Sequence, residues 1–360
     1  MEKTRIIRGP KPPCPARPDT LPSAGDGAVR EVRVGRRLQV LRAGIEPRHE
    51  VLEIGPWHEP IAPRALGYRT TILDIKDTRT LRAMAASDPQ IRPGDIGAIE
   101  DVDIVGSACD VAELVRGTLG PDKRFDWVLS SHNVEHMPNP IRFLRQAAEI
   151  LHDGGVLRMA IPDKRACFDH FRPLTDISEW LQAHDENRVQ PTIYQLFRED
   201  SLRSVLQMGG RTLHAWQLGD MEGGRLLPAA NSLELYRRWF GAAERPGHYV
   251  DTHCWAFTPD SFELLVRDVI AFGLLPMQVD RVSATRGHEF FVDVRRCAVA
   301  PRVSEPEYLA TRARLLGRCV RDDDAALAAR VPLSLRLARR AKRFVRRLAR
   351  THLPRTRLAG

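Results

Sequence analysis

The chain has little lysine, no close cysteine pair and no long apolar run, and each absence removes a class of protein. Lysine occurs six times against 49 arginines. GC-rich coding can produce that bias, so isolated arginines carry no argument here. The six cysteines, Cys14, Cys109, Cys167, Cys254, Cys297 and Cys319, form no CxxC pair and are scattered over the whole length. Neither a zinc knuckle nor a disulfide framework is expected, and reduced thiols in a cytoplasm fit the pattern. No uninterrupted apolar stretch approaches the roughly 18 residues that a membrane span requires, and the N-terminus lacks an apolar signal core. Secretion and membrane spanning are not expected; the localisation read from the sequence is cytoplasmic, at most peripheral at the inner face of a membrane.

What is present is 360 residues, 43% of them hydrophobic, at a mean hydropathy of −0.32. That is a soluble globular chain, long enough for one large domain with an insertion or for two domains. The net charge of +9 suggests a nucleic-acid binder until it is located. Residues 331–360 hold nine arginines, one lysine and no acid, which leaves residues 1–330 close to neutral. A basic nucleic-acid domain is excluded for the body. Within 331–350, Leu333, Leu337, Ala341, Phe344, Val345 and Leu348 recur at three- and four-residue steps, which predicts a helix with one apolar stripe and a dense basic face. Such a helix could dock on the body or bind an anionic membrane surface; nucleic acid is the least favoured partner.

Residues 1–30 carry Pro10, Pro12, Pro13, Pro15, Pro18 and Pro22 and few apolar anchors, and read as a flexible arm. A strand or a helix is expected somewhere in 31–41. Residues 49–54 read as a buried strand ending in a glycine turn, and 70–74 as a short strand ending in a carboxylate, with a short helix over 59–66 between them. Further strands are expected at 102–105, 125–130 and 156–161, and a helix at 140–151 stopped by Asp153-Gly154-Gly155. Strands alternating with helices at this pace mean βαβ units and a parallel sheet. The pattern is then lost for some ninety residues rich in His, Arg and Trp. It returns at Thr258-Pro259-Asp260, which opens a helix to about 272, followed by strands near 276–282 and 289–295.

Asp74 lies 19 positions after Gly55, close to the roughly 20-residue offset at which a carboxylate ending the second strand accepts both ribose hydroxyls of an adenosine. That geometry identifies an adenosine site and not its chemistry. Gly55 lacks the Cβ that would obstruct close backbone approach to a cofactor.

The run Val51-Leu52-Glu53-Ile54-Gly55-Pro56, the acid at Asp74, the segment Ser130-Ser131-His132-Asn133-Val134-Glu135-His136 and the stop Leu151-His152-Asp153-Gly154-Gly155-Val156-Leu157 together resemble the S-adenosylmethionine-dependent class I methyltransferases. The chain is also similar to a bacterial subgroup often encoded near glycosyltransferases. In that subgroup the fifth strand runs into a phrase like Ile161-Pro162-Asp163-Lys164-Arg165-Ala166-Cys167-Phe168-Asp169, with a later one like His253-Cys254-Trp255-Ala256-Phe257-Thr258-Pro259. The resemblance implies an α/β fold: a Rossmann-like, seven-stranded, mostly parallel sheet with a C-terminal antiparallel hairpin. The methyltransferase core would be 46–162 plus 255–297, with a substrate cap inserted at 163–254 and a helical basic tail at 302–360. Relatives commonly carry more glycines in the first loop, where this chain has Pro56 and Trp57.

The resemblance further implies S-adenosyl-L-methionine as cofactor, contacted by Glu53, Gly55, Pro56, Asp74, Asp110 and Ser131. For Glu53 the competing reading is a carboxylate that accepts loop N–H bonds; for Asp110 it is a helix cap. The loop after the fourth strand would face the reacting methyl. His132 is the first choice for removing an acceptor's proton, with Asp169 and His253 as further choices. The two histidines of His132-Asn133-Val134-Glu135-His136 are not in HExxH order, so no metal is expected there. The function implied is methyl transfer, through oxygen, to a small-molecule or glycan acceptor. Competing readings are a nicotinamide-dependent oxidoreductase, opposed by the lack of GxGxxG, and a non-catalytic cofactor-binding partner protein at the membrane surface.

Overall fold

Val51, Leu52 and Ile54 are buried side by side on β1 (Glu50–Ile54), the pattern of a strand covered on both faces of a sheet. In the computed structural model the described residues are 35, 37–219, 221, 223–241 and 249–328, with side chains to Arg321. The expected arm at 1–30 and the 331–350 segment lie outside them. A helical segment over 37–42, α1, precedes β1. After β1 come β2 (Arg69–Asp74), α2 (Thr78–Ser87), the single turn α3 (Pro93–Ile96), β3 (Ile104–Val105), α4 (Val111–Leu119), β4 (Phe125–Ser131), α5 (Pro140–Ile150) and β5 (Leu151–Pro162). The inserted region holds α6 (Ile177–Asp185), α7 (Ile193–Leu202), β6 (Ser204–Met208), β7 (Arg211–Leu213), β8 (Arg225–Pro228) and α8 (Ser232–Phe240). The chain then returns through α9 (Pro259–Ala271), β9 (Met277–Val282) and β10 (Glu289–Arg296) to α10 (Glu305–Ala328).

The main sheet has the order β3-β2-β1-β4-β5-β10-β9, with β1 to β5 parallel and the last two strands antiparallel. This is the expected Rossmann-like sheet with its terminal hairpin. A separate antiparallel sheet, β7-β6-β8, belongs to the insertion, where the sequence pattern had shown no order. Its strands are three to five residues long, too short to display a period.

Helix boundaries follow local chemistry. Asn139 caps α5 by accepting from Arg142 N–H at 3.0 Å, Pro140 opens it, and Ile141, Leu144, Ala147 and Ala148 bury one face. Thr258 and Ser261 form a capping box on α9. Along α10, Leu315 is buried, Tyr308 donates to Asp268 at 2.9 Å and Arg318 meets Asp260 at 3.2 Å, so its first turns dock on α9.

Two expectations fail. The 59–66 segment is not a helix but a bend ending in a 3-10 turn, Arg64–Leu66. Pro60 and Pro63 withhold two backbone donors, and the N–H groups of Ile61 and Ala62 go to the Glu53 carboxylate. The glycine pair does not stop α5 either. That helix ends at Ile150, and Gly154-Gly155 forms an irregularity inside β5, where Gly154 has φ +82° and a Cβ on Gly155 would lie 2.9 Å from the His152 carbonyl.

Candidate active site

Parallel pairing brings the carboxyl ends of β1, β2, β4 and β5 to one edge of the sheet, and chain direction across the sheet reverses between β1 and β4. Ligands of open α/β sheets bind in the crevice at that point. Gly55 follows β1 with φ +59°, and its N–H donates to the Leu73 carbonyl at 2.8 Å. A Cβ there would lie 2.8 Å from Asn133 Oδ1. Asn133 in turn donates to the carbonyls of Ile54 at 2.8 Å and Ser131 at 3.1 Å. The loop after β4 is thus strapped to the end of β1, and Gly55 makes room for the strap. Pro56 continues the turn. Trp57 (φ +53°) packs with Leu81, Ala85 and Ile99 toward α2.

Asp74 ends β2, buried, with Oδ1 accepting from Lys76 N–H at 2.9 Å; burial raises its carboxyl above the usual range, partly offset by Lys76. Glu53 behaves as the competing reading describes. Its two oxygens accept from Ile61 N–H at 2.6 Å and Ala62 N–H at 3.0 Å, and burial pushes the carboxyl up to about 7. Asp110 sits at the start of α4 and pairs with Arg142 at 2.5 Å, while Ser107 caps the preceding turn. Beside these positions the Ser130 hydroxyl, at the end of β4, is buried with no hydrogen-bond partner. A strand-end carboxylate, a glycine turn and an unpartnered hydroxyl along one sheet edge suit the ribose and chain of S-adenosylmethionine.

His132 has φ +54°, uncommon for a residue with a side chain. Its N–H donates to the Ala160 carbonyl at 2.9 Å, which fixes the residue between β4 and β5. Nε2 lies 2.9 Å from Glu289 at the start of β10, and Arg37 of α1 donates to the same carboxylate at 2.7 and 3.2 Å and to Ser131 Oγ at 2.6 Å. Burial would raise the Glu289 carboxyl, but the His132 hydrogen bond and the Arg37 charge hold it down to about 2. An ionised Glu289 accepts only, so the neutral imidazole carries its proton on Nε2 and its lone pair on Nδ1. Nδ1 stands 3.6 Å from Glu135 Oε1.

Asp169 and His253 form a separate pair at 2.6 Å. Burial opposes ionisation of Asp169, but His253 and Arg172 pull it below the usual carboxylate range. Arg172 also donates to the carbonyls of His253 and Cys254 at 2.8 and 3.0 Å. The phrase after β5 and the phrase before α9 are therefore stitched together by one buried ion pair. His136 Nδ1 donates to the Asp251 carboxylate, 2.9 Å away; burial would lower its pKa, but Asp251 and Glu135 lift it to about 9. The His253 ring stands edge-on to His136 at 4.6 Å. Sequence reasoning missed Arg37, Glu289, Glu135 and Asp251 as members of this region. Only Glu135 had a signal, its place within the loop after β4.

Residues 29–215 match the family model described as a methyltransferase domain. That span holds all five parallel strands and their carboxyl ends, and together they define a class I S-adenosylmethionine-dependent methyltransferase. The chain belongs to this methyltransferase family and is an enzyme that transfers methyl groups, with S-adenosyl-L-methionine as cofactor; the oxidoreductase and non-catalytic readings are set aside. Among solved structures it is similar to the CcbJ methyltransferase from Streptomyces caelestis, at 14% identity over 73% of this chain and 90% of that one, TM-score 0.37. It is also similar to an S-adenosylmethionine-dependent methyltransferase from Mesorhizobium loti, at 13% identity over 73% and 100%, TM-score 0.35. A third is the glycopeptide N-methyltransferase MtfA complexed with S-adenosyl-L-homocysteine, at 15% identity over 77% and 98%, TM-score 0.34. No curated protein matches the chain. Among the described residues no helix is long and apolar enough to cross a membrane.

Proposed function

We propose that this methyltransferase acts on a hydroxyl of a small or saccharide-type acceptor and that His132 takes the hydroxyl proton. The observation that carries the reading is the His132–Glu289–Arg37 chain at the end of β4. Bound S-adenosylmethionine supplies a methyl already activated on a sulfonium, so the chain's work is positioning and proton removal. Asp74 would accept the ribose hydroxyls, and Gly55 would leave the turn open to the cofactor; Pro56, Ser131 and Asp110 would border it. Glu289 and Arg37 fix the imidazole with Nδ1 available as the base. The 163–254 region would cover the acceptor, and the saccharide class is supported by the likeness to the subgroup found beside glycosyltransferases. With labelled donor and a panel of glycans and small hydroxyl compounds, His132→Gln should lower turnover roughly 100-fold or more while leaving cofactor affinity nearly unchanged. Near-native turnover would contradict the assignment of the base.

The 331–350 segment would bring the enzyme to an anionic lipid surface, each close Arg contributing about 1 kcal/mol. A chain ended after residue 330 should keep cofactor binding but lose co-sedimentation with anionic vesicles, and salt should release the full chain. Equal sedimentation of both forms would contradict this, as would tight DNA binding without a lipid response.

A further inference from the structure

The 3-10 turn Val134–His136 follows β4 and delivers two donors to a point that the third reaches from the segment before α9. Glu135 is 1% exposed, and neither of its carboxylate oxygens has a hydrogen-bond partner. A buried carboxylate without a partner is unfavourable unless a cation or donor completes it. His136 Nε2 lies 3.9 Å from Glu135 Oε1. One donor atom each from Glu135, His136 and His253 lie within 4.8 Å of one another.

The other ring nitrogens are already committed. His136 Nδ1 is bonded to Asp251 at 2.9 Å, and His253 Nδ1 to Asp169 at 2.6 Å. A carboxylate on Nδ1 fixes a ring so that Nε2 faces the site and, once it gives up its proton to an incoming cation, presents its lone pair, the arrangement that supports metal-ligating histidines. Backbone and ring bonds hold the two segments together without any ion: Trp255 N–H donates to the Glu135 carbonyl at 3.2 Å and Trp255 Nε1 to the Met137 carbonyl at 2.6 Å. His136 and Asp251 are partly exposed, which leaves a route in from solvent.

We propose that Glu135, His136 and His253 form a binding site for one divalent transition-metal cation of the zinc class. Two imidazoles and a carboxylate suit such an ion, whose bonds of about 2.1 Å require only a modest contraction of these donors. Three protein ligands leave at least one position open, as in sites where the metal meets a substrate or water. His132 Nδ1 stands 3.6 Å from Glu135. The ion would thus lie beside the proposed base, at the strand end where the acceptor would arrive. An oxygen acceptor bound to it would ionise more readily. The site does not depend on that use, because metal binding is read directly.

The test is calorimetric titration of the chelator-treated full chain with Zn²⁺, with metal analysis of the dialysed protein and circular dichroism to verify folding. One ion per chain is expected. Glu135→Gln and His253→Ala should each weaken binding at least tenfold, and Asp251→Asn, a positioning change on the open side, by about 10- to 100-fold. His152→Ala, at an exposed site elsewhere, should change nothing. Replacing Zn²⁺ by Co²⁺ should give a visible spectrum that the Glu135 variant alters. No stoichiometric binding, or binding that a folded Glu135→Gln protein retains unchanged, would overturn the proposal.

Discussion

Glu53 spends both carboxylate oxygens on the backbone of the 61–62 turn, which takes the place of the expected helix after β1. Its carboxyl is raised from an ordinary 4.5 to about 7 because burial outweighs the two N–H bonds. A raised carboxyl binds more protons in the folded state than in the unfolded one. Its contribution to stability is therefore complete below about pH 4.5 and is lost as pH rises through 7. Glu53→Gln should flatten the fall in unfolding free energy between pH 5 and 8, by on the order of 3 kcal/mol across that window. Denaturant unfolding of both proteins at several pH values reads the difference, and parallel profiles would contradict the assigned cause. Glu289 has the opposite sign: with its carboxyl held at about 2, its contribution is present above pH 4.5 and lost only in strong acid.

At the scale of elements, periodicity and caps were legible in the core but not in the insertion, where α6 and α7 open with capping boxes at Asp176 and Thr192 that the sequence reading did not pick out. The 49–54 and 70–74 strands, the α5 stripe and the Thr258 cap appear where local pattern put them. Where two proline residues and a carboxylate decided the backbone between β1 and β2, a length argument alone called for a helix and failed. The Gly154-Gly155 pair looked like a helix stop because glycines of either kind look alike in sequence; only the pairing of β4 with β5 shows that it relieves crowding inside a strand. The candidate site was partly legible for the same reason. Gly55, Asp74 and His132 sit at strand ends, which pattern can locate. Arg37 and Glu289 reach His132 from opposite ends of the chain, and His253 meets Glu135 only through the fold. The spacing within His132-Asn133-Val134-Glu135-His136 could not by itself suggest the proposed metal site, since the third donor of that site, His253, is remote in sequence.

For the whole molecule, the parallel half of the sheet presents the strand ends proposed to hold the cofactor, Asp169 joins Arg172 and His253 to tie the two ends of the insertion together, and the start of α10 is docked on α9. The proposed cofactor contact is the Asp74 carboxylate at the end of β2. Calorimetric titration with S-adenosyl-L-homocysteine tests it most directly, because the product binds without turnover and needs no knowledge of the acceptor. The full chain should bind it and gain thermal stability. Asp74→Ala should lose on the order of 2 kcal/mol of binding free energy through two charge-assisted hydrogen bonds. Binding of NADH with no response to either methionine derivative, or an Asp74→Ala protein with undiminished affinity, would contradict the account.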